Sequence, residues 1–200
     1  MSMVCYNSSM YLIVGLGNPG EEYKETRHNV GYAVIDEIRK LGNSEINEAV
    51  PLFLNKPLKS EIGTMAVGKA KITVVKPVTY MNNSGLAVKK IISQFRNFAI
   101  PNLIIIHDDI TLDLGTVKIS KGAGAGNHNG VQSIIDHLKT QDFVRVRCGI
   151  GRGNGTLTDV VLSKFTQDEH RIVGQMISRA TETCIEIVRH GVEKAMNRYN

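Results

Sequence analysis

The residues best suited to chemistry in this sequence are a histidine, an aspartate and a scatter of asparagines, carried on five short polar segments. These are Gly17-Asn18-Pro19-Gly20, Thr26-Arg27-His28-Asn29, Tyr80-Met81-Asn82-Asn83-Ser84-Gly85, His107-Asp108-Asp109 and Gly126-Asn127-His128-Asn129-Gly130. A neutral imidazole at His28 could take a proton from water. A carboxylate such as Asp108 could fix its tautomer and stabilise the imidazolium that forms. Amides such as Asn18, Asn82 and Asn129 both donate and accept. They could hold a carbonyl, a ribose hydroxyl and an attacking water without adding charge. The chemistry suggested is hydrolysis with neither a metal nor a covalent nucleophile.

Each residue also has a structural reading. Asn18 and Asn82 could stabilise turns through their own backbone. Asn29 could cap a helix. Asp108 and Asp109 could be solvated loop carboxylates, and a lone histidine is more often structural than catalytic. Taken singly the structural readings win; their joint occurrence favours the functional one.

Two other chemistries find no support. No Gly-x-Ser-x-Gly elbow occurs, and no cysteine adjoins a histidine. Gly15-Leu16-Gly17-Asn18-Pro19-Gly20 spells a dinucleotide-type glycine pattern after a strand. Yet Glu21 and Glu22 stand where a pyrophosphate would sit, and the next helix is expected only near Val30. Asp36 and Glu37 fall inside that helix, not at a strand end.

The elements that must position these segments can be read from apolar spacing. Residues 11–16 form a buried strand. Val30, Ala33, Val34, Ile38 and Leu41 recur at helical spacing, with Asn29 as a possible cap and Gly42 as a stop. Residues 43–60 read as loop with room for a short strand. Residues 61–68 and 71–76 read as paired strands about Gly68-Lys69-Ala70. The spacing predicts helices over 85–98, 131–138 and 167–190. It predicts strands over 103–106, 116–120 and 143–150, with Leu103 to Ile106 central and a glycine-rich loop from Gly122 to Gly130. The alternation predicts an α/β fold: a single three-layer α/β/α domain with a mixed, largely parallel central sheet flanked by helices. Ligands of such sheets gather at the carboxyl ends of parallel strands, where the polar segments would converge.

At 200 residues and 42% hydrophobic content, one domain with a sizeable core is expected over 1–200, with residues 1–10 disordered or loosely attached. Lys and Arg number 24 against 19 Asp and Glu, a net charge of +5 that suits a polyanionic partner without requiring one. Cys5, Cys148 and Cys184 are odd in number and widely spaced, which speaks against a disulfide framework and a thiolate zinc site. No signal peptide or membrane-spanning run is evident. The chain therefore reads as cytoplasmic, with no membrane partner.

Over nearly its whole length the sequence resembles the bacterial-type peptidyl-tRNA hydrolases. The matching runs are Leu12 to Gly20, Tyr23, Thr26 to Gly31, Lys76 to Asn82 with Ser84-Gly85, and His107-Asp108-Asp109. They continue through His128-Asn129-Gly130, Gln141-Asp142-Phe143, Gly149 to Arg152 and Ala195 to Asn200. The resemblance implies hydrolysis of the ester between a peptide and the 3′ ribose of tRNA, by a monomer and without a cofactor or metal. It implies His28 as base, Asp108 as its partner, and Asn18, Asn82 and Asn129 as positioning amides. Tyr23, Tyr80 and Met81 would line the cleft near the peptide and the 3′ nucleotide. Lys118 and Arg147 would meet tRNA phosphates, with Lys121 substituting for the basic residue common at Ser120. The sequence departs from the family's pattern at Asn127, where Gly is common, at Ala125, where His is common, and in lacking a proline pair after Asp109. A non-catalytic RNA-binding protein on the same fold is the alternative.

Overall fold

The structure is a computed structural model and describes residues 10–42, 49–153 and 155–200. The expected loose segment 1–10 lies, but for Met10, outside the described residues, as does Cys5. A seven-stranded sheet runs through the molecule in the order β2-β3-β4-β1-β5-β7-β6. The central strands β4 (Ala70–Pro77), β1 (Met10–Gly15), β5 (Leu103–Asp109) and β7 (Val144–Gly149) are mutually parallel. At one edge β2 (Phe53–Asn55) and β3 (Ser60–Val67) add antiparallel, as β6 (Val117–Lys121) does at the other.

Alternation along the central strands explains the three layers. Ile13, Ile104 and Ile106 face a core closed by α1 (Val30–Lys40), α5 (His170–His190) and α6 (Val192–Tyr199). Leu12, Val14, Leu103 and Ile105 face the other, closed by α2 (Ser84–Ile92) and α3 (Asn129–Leu138). Both faces of β1 and β5 are covered, so their sequences are apolar without alternation. Each such side chain contributes roughly 1.5–3 kcal/mol over exposure.

Close packing at the end of β1 depends on two glycines. A Cβ on Gly15 would lie 2.2 Å from the Gly31 carbonyl oxygen, and one on Gly31 would lie 2.5 Å from the Leu16 backbone. Their absence lets the start of α1 sit directly against the strand end, which brings the 26–29 segment over β5. The glycine pattern of residues 15–20 serves this turn. It leads into a short 3-10 turn over Glu21–Tyr23, not into a helix that could hold a pyrophosphate.

Some expected boundaries move. The helix predicted through residue 98 ends at Ile92, and Asn97 adopts a left-handed backbone (φ 60°) that no helix continues. The histidine and both aspartates expected after the central strand lie within β5 itself. Helix α3 opens at Asn129, two residues earlier than expected. The helix predicted from residue 167 starts at His170. Helices α4 (Leu157–Leu162) and α6 were not expected. Among the described residues no helix is long and apolar enough to cross a membrane.

Candidate active site

The site assembles where β1, β4 and β5 end together. His28 sits in a 3-10 turn, Arg27–Asn29, just before α1. Arg27 fastens that turn from behind. Its guanidinium donates to both Glu169 carboxylate oxygens at 2.9 and 2.6 Å, to the Ile150 carbonyl at 3.1 Å and to Ser163 Oγ at 3.1 Å. This partly buried ion pair, with Nη2 shared between the two carboxylate oxygens, holds orientation as well as charge. It keeps the imidazole of His28 turned toward β5.

There, His28 Nδ1 lies 2.8 Å from Asp108 Oδ1, and His128 Nε2 lies 2.9 Å from the same oxygen. All three side chains are buried. The tautomer of His128 follows from its other nitrogen. Nδ1 accepts from the backbone N–H of Gly130 at 3.1 Å and of Val131 at 3.3 Å, as the N-cap of α3. Its proton must therefore be on Nε2, which donates to Asp108. A neutral His28 that likewise donates from Nδ1 carries its lone pair on Nε2.

Burial works against a charge on Asp108, but His128 and His28 beside it and their hydrogen bonds hold its carboxyl well below the usual carboxylate range. Its neighbour His107 behaves oppositely. Burial, reinforced by His128, pulls that imidazole down to about 3. His107 Nδ1 lies 2.7 Å from the Asp108 carbonyl oxygen, which can only accept, so Nδ1 carries the proton. Cys148 and Cys184 are buried, and burial pushes both thiols up, away from thiolate chemistry.

The amides divide by role. Asn18 is buried, and its Oδ1 accepts from the Met81 backbone N–H at 2.8 Å, tying the end of β1 to the end of β4. That leaves its Nδ2 hydrogens free to donate. Asn29 braces Asn18: its Oδ1 accepts from the Asn18 N–H at 2.8 Å and its Nδ2 donates to the Asn18 carbonyl at 3.0 Å. The side chain of Asn29 therefore makes no capping bond to α1. Asn129 lines, with His28 and Asp108, a cavity of ≈ 70 Å³ roofed by Leu157, Thr158 and Val161. Asn82 is exposed on the 3-10 turn after β4, one residue beyond the buried Met81. Tyr23 and Tyr80 meet edge to face, ring centroids 6.2 Å apart.

The basic residues lie toward the β6 edge. Lys118 pairs in register with Arg147 across β6 and β7, which sets the two cations side by side. Arg147 also binds the Asp109 carboxylate through Nε at 2.8 Å. Lys121 lies an odd number of residues from Lys118, so alternation turns it to the other face. There its Nζ is 3.7 Å from Asp142.

The structure also accounts for two departures. Asn127 has a left-handed backbone (φ 64°), a conformation that suits glycine and that asparagine tolerates better than most residues. The segment lacking the proline pair is held by its own backbone. Gly115 N–H donates to the Gly149 carbonyl at 3.1 Å, and Gly151 N–H to that of Leu112 at 3.0 Å. Sequence reasoning did not single out His128, Asn29 or Arg27 as site residues, although all three fall within its polar segments.

Known proteins resemble this chain over nearly its whole length. A family model described as peptidyl-tRNA hydrolase matches residues 12–200. Peptidyl-tRNA hydrolases of Clostridium beijerinckii and Clostridium botulinum are each 42% identical over 96% of this chain, covering 96% and 97% of their own lengths. The crystal structure of peptidyl-tRNA hydrolase from Acinetobacter baumannii superimposes with a TM-score of 0.85 at 31% identity, covering 96% of this chain and 95% of that one.

Proposed function

The chain belongs to the peptidyl-tRNA hydrolase family, and on that ground we propose that it cleaves the ester joining a peptide's carboxyl to the 3′ ribose of tRNA, with His28 as the base. The observation that carries the mechanism is the 2.8 Å contact between His28 Nδ1 and Asp108 Oδ1. With Nδ1–H given to the carboxylate, the lone pair on Nε2 takes a proton from water as the water oxygen attacks the ester carbonyl. Collapse of the tetrahedral intermediate breaks the bond to the 3′ oxygen, which leaves with the proton from the imidazolium. Asp108, kept ionised, stabilises that imidazolium while it lasts.

Asn18 offers its Nδ2 hydrogens to the substrate or the oxyanion, since its Oδ1 is engaged by Met81. Asn129 stands beside the base to hold water or substrate, and Asn82 holds the substrate from the β4 side. Tyr23, Tyr80 and Met81 form the wall for the peptide and the last nucleotide. Lys118 and Arg147 bind tRNA phosphates and give affinity that salt weakens, whereas Lys121, turned to the other face beside Asp142, stands apart from that pair. An ester of this kind is already activated. One base, worth typically ~10²–10⁴-fold, plus oriented donors is sufficient without a metal or cofactor. The protein acts in the cytoplasm as a monomer.

The test is release of labelled peptide from an N-acetylaminoacyl-tRNA in the presence of a chelator. Stoichiometric free tRNA and N-acetyl amino acid are expected. Binding of the tRNA with its ester left intact would instead assign the chain as a non-catalytic RNA-binding protein.

A further inference from the structure

We propose that Arg145 is a positioning residue, whose hydrogen bond to the Gly124 carbonyl holds the glycine-rich loop so that His128 stays on Asp108. Arg145 lies on β7, two residues before Arg147 and opposite Ser120 of β6, on the same face as the Lys118–Arg147 pair. Unlike those two, it is only 4% exposed. Its Nη1 donates to the Gly124 carbonyl at 2.8 Å, the one side-chain hydrogen bond it makes among the described residues. The Asp109 carboxylate is bound by Arg147 instead.

A guanidinium in such a place is costly. Burial and the like charge of Arg147 both pull its pKa down. An apolar side chain of the same length would be cheaper, so what arginine supplies there is the donor. The recipient needs one. Gly122 and Gly126 have left-handed backbones (φ 66° and 60°), and a Cβ on Gly122, Gly124 or Gly126 would meet nothing within 4 Å. Ala125 packs against the core under α2 and α3, but the three glycines around it have no side chains to fix the segment. The turn that follows is closed by the His128 N–H on the Ala125 carbonyl at 3.1 Å, and His128 then caps α3 and donates to Asp108. Arg145 thus ties the basic strand face to the segment that sets the second hydrogen bond on the catalytic carboxylate.

The inference rests on the proposed reaction, and the experiment separates the two. Arg145→Met and Arg145→Lys are compared with the parent and with Lys118→Ala. The substrates are an N-acetylaminoacyl-tRNA and the same ester on a short CCA oligonucleotide that lacks the acceptor stem. Arg145→Met is expected to lower kcat roughly tenfold on both substrates, the loss of one positioning hydrogen bond. KM should change little, and Arg145→Lys should recover part of the rate. Lys118→Ala should raise KM on the full tRNA alone. A loss confined to KM on the full tRNA would make Arg145 a phosphate ligand and overturn the proposal. So would an unchanged kcat with a lowered melting temperature. Amide hydrogen exchange of residues 122–130 gives a readout independent of activity. Faster exchange there in Arg145→Met, with the β5 core unchanged, supports the strap, and unchanged exchange in the loop overturns it. A parent that cleaves neither ester refutes the proposed reaction while leaving the exchange result to decide the strap.

Discussion

His128 and His28 meet the same oxygen of Asp108, their Nε2 and Nδ1 at 2.9 and 2.8 Å, with the two rings side by side and centroids 5.0 Å apart. The His128 contact is directional because two backbone N–H groups at the start of α3 occupy the other ring nitrogen. A helix N-terminus thereby fixes a tautomer, the tautomer helps keep a buried carboxylate ionised, and the carboxylate orients His28, the proposed base.

His128→Ala should lose both the cap and the second donor. Loss of a cap costs about 0.5–2 kcal/mol of stability. The rate should fall by roughly tenfold, as for one hydrogen bond to a charged group. His128→Asn should restore the melting temperature, because asparagine caps well, yet leave the rate low because its side chain is too short for Asp108. Recovery of both would count against the tautomer argument.

Asp108→Asn replaces an acceptor of two N–H bonds by an amide with an NH₂ of its own. One imidazole must then turn or lose its partner. We expect kcat to fall by about 10²-fold or more, since the imidazolium loses its stabilising charge. KM for peptidyl-tRNA should move less than threefold (roughly), as Asp108 makes no substrate contact in this scheme. Steady-state kinetics on a single labelled substrate decide it.

Acid stability should carry the mark of His107. Its pKa is held down to about 3 in the folded protein, against roughly 6.5 when unfolded. Between these values the unfolded chain binds a proton that the native one does not. Stability is therefore intact above about pH 6.5 and falls as pH drops toward 3. Asp108, also depressed, adds a loss only below about pH 4, where the unfolded carboxyl protonates. His107→Gln should reduce the slope of unfolding free energy between pH 6 and 4 by up to about 1.4 kcal/mol per pH unit. Urea titrations at several pH values measure it, and a parallel slope in the variant would refute the assignment.

Lys118→Ala and Arg147→Ala should each raise KM for peptidyl-tRNA and make its logarithmic dependence on salt shallower by about one phosphate contact. Arg147→Ala should do more, because it also releases Asp109. If neither changes the salt slope, the phosphates bind elsewhere.

Much of this was legible in the residues because burial leaves a simple trace. The run Leu103 to Ile106 reads as a central strand, being covered on both faces. Val30 to Ile38 reads as a helix through its one apolar stripe. Helix α6 was not legible, since it buries only Ala195 and Tyr199. Helix α4 is only six residues long, but Thr156 and Asp159 form a capping box whose spacing was available as a signal. Among site residues, His28 and Asp108 stood out by type and segment. Asn29 read only as a helix cap, because its bracing of Asn18 is a pair of hydrogen bonds reaching back 11 residues. His128 was not legible as a partner of Asp108, because histidine is an unusual cap and its contact spans 20 residues through tertiary packing.

The most direct test of the account is His28→Ala in a paired measurement of single-turnover ester cleavage and tRNA affinity, with chelator present. Removing the base while leaving Asp108, the amides and the cationic strand in place should cut cleavage by about 10²–10⁴-fold and change the dissociation constant for tRNA by less than roughly threefold. A variant that still cleaves at a rate near the parent's, or that loses affinity in proportion to rate, would show that this imidazole is not the group that activates water.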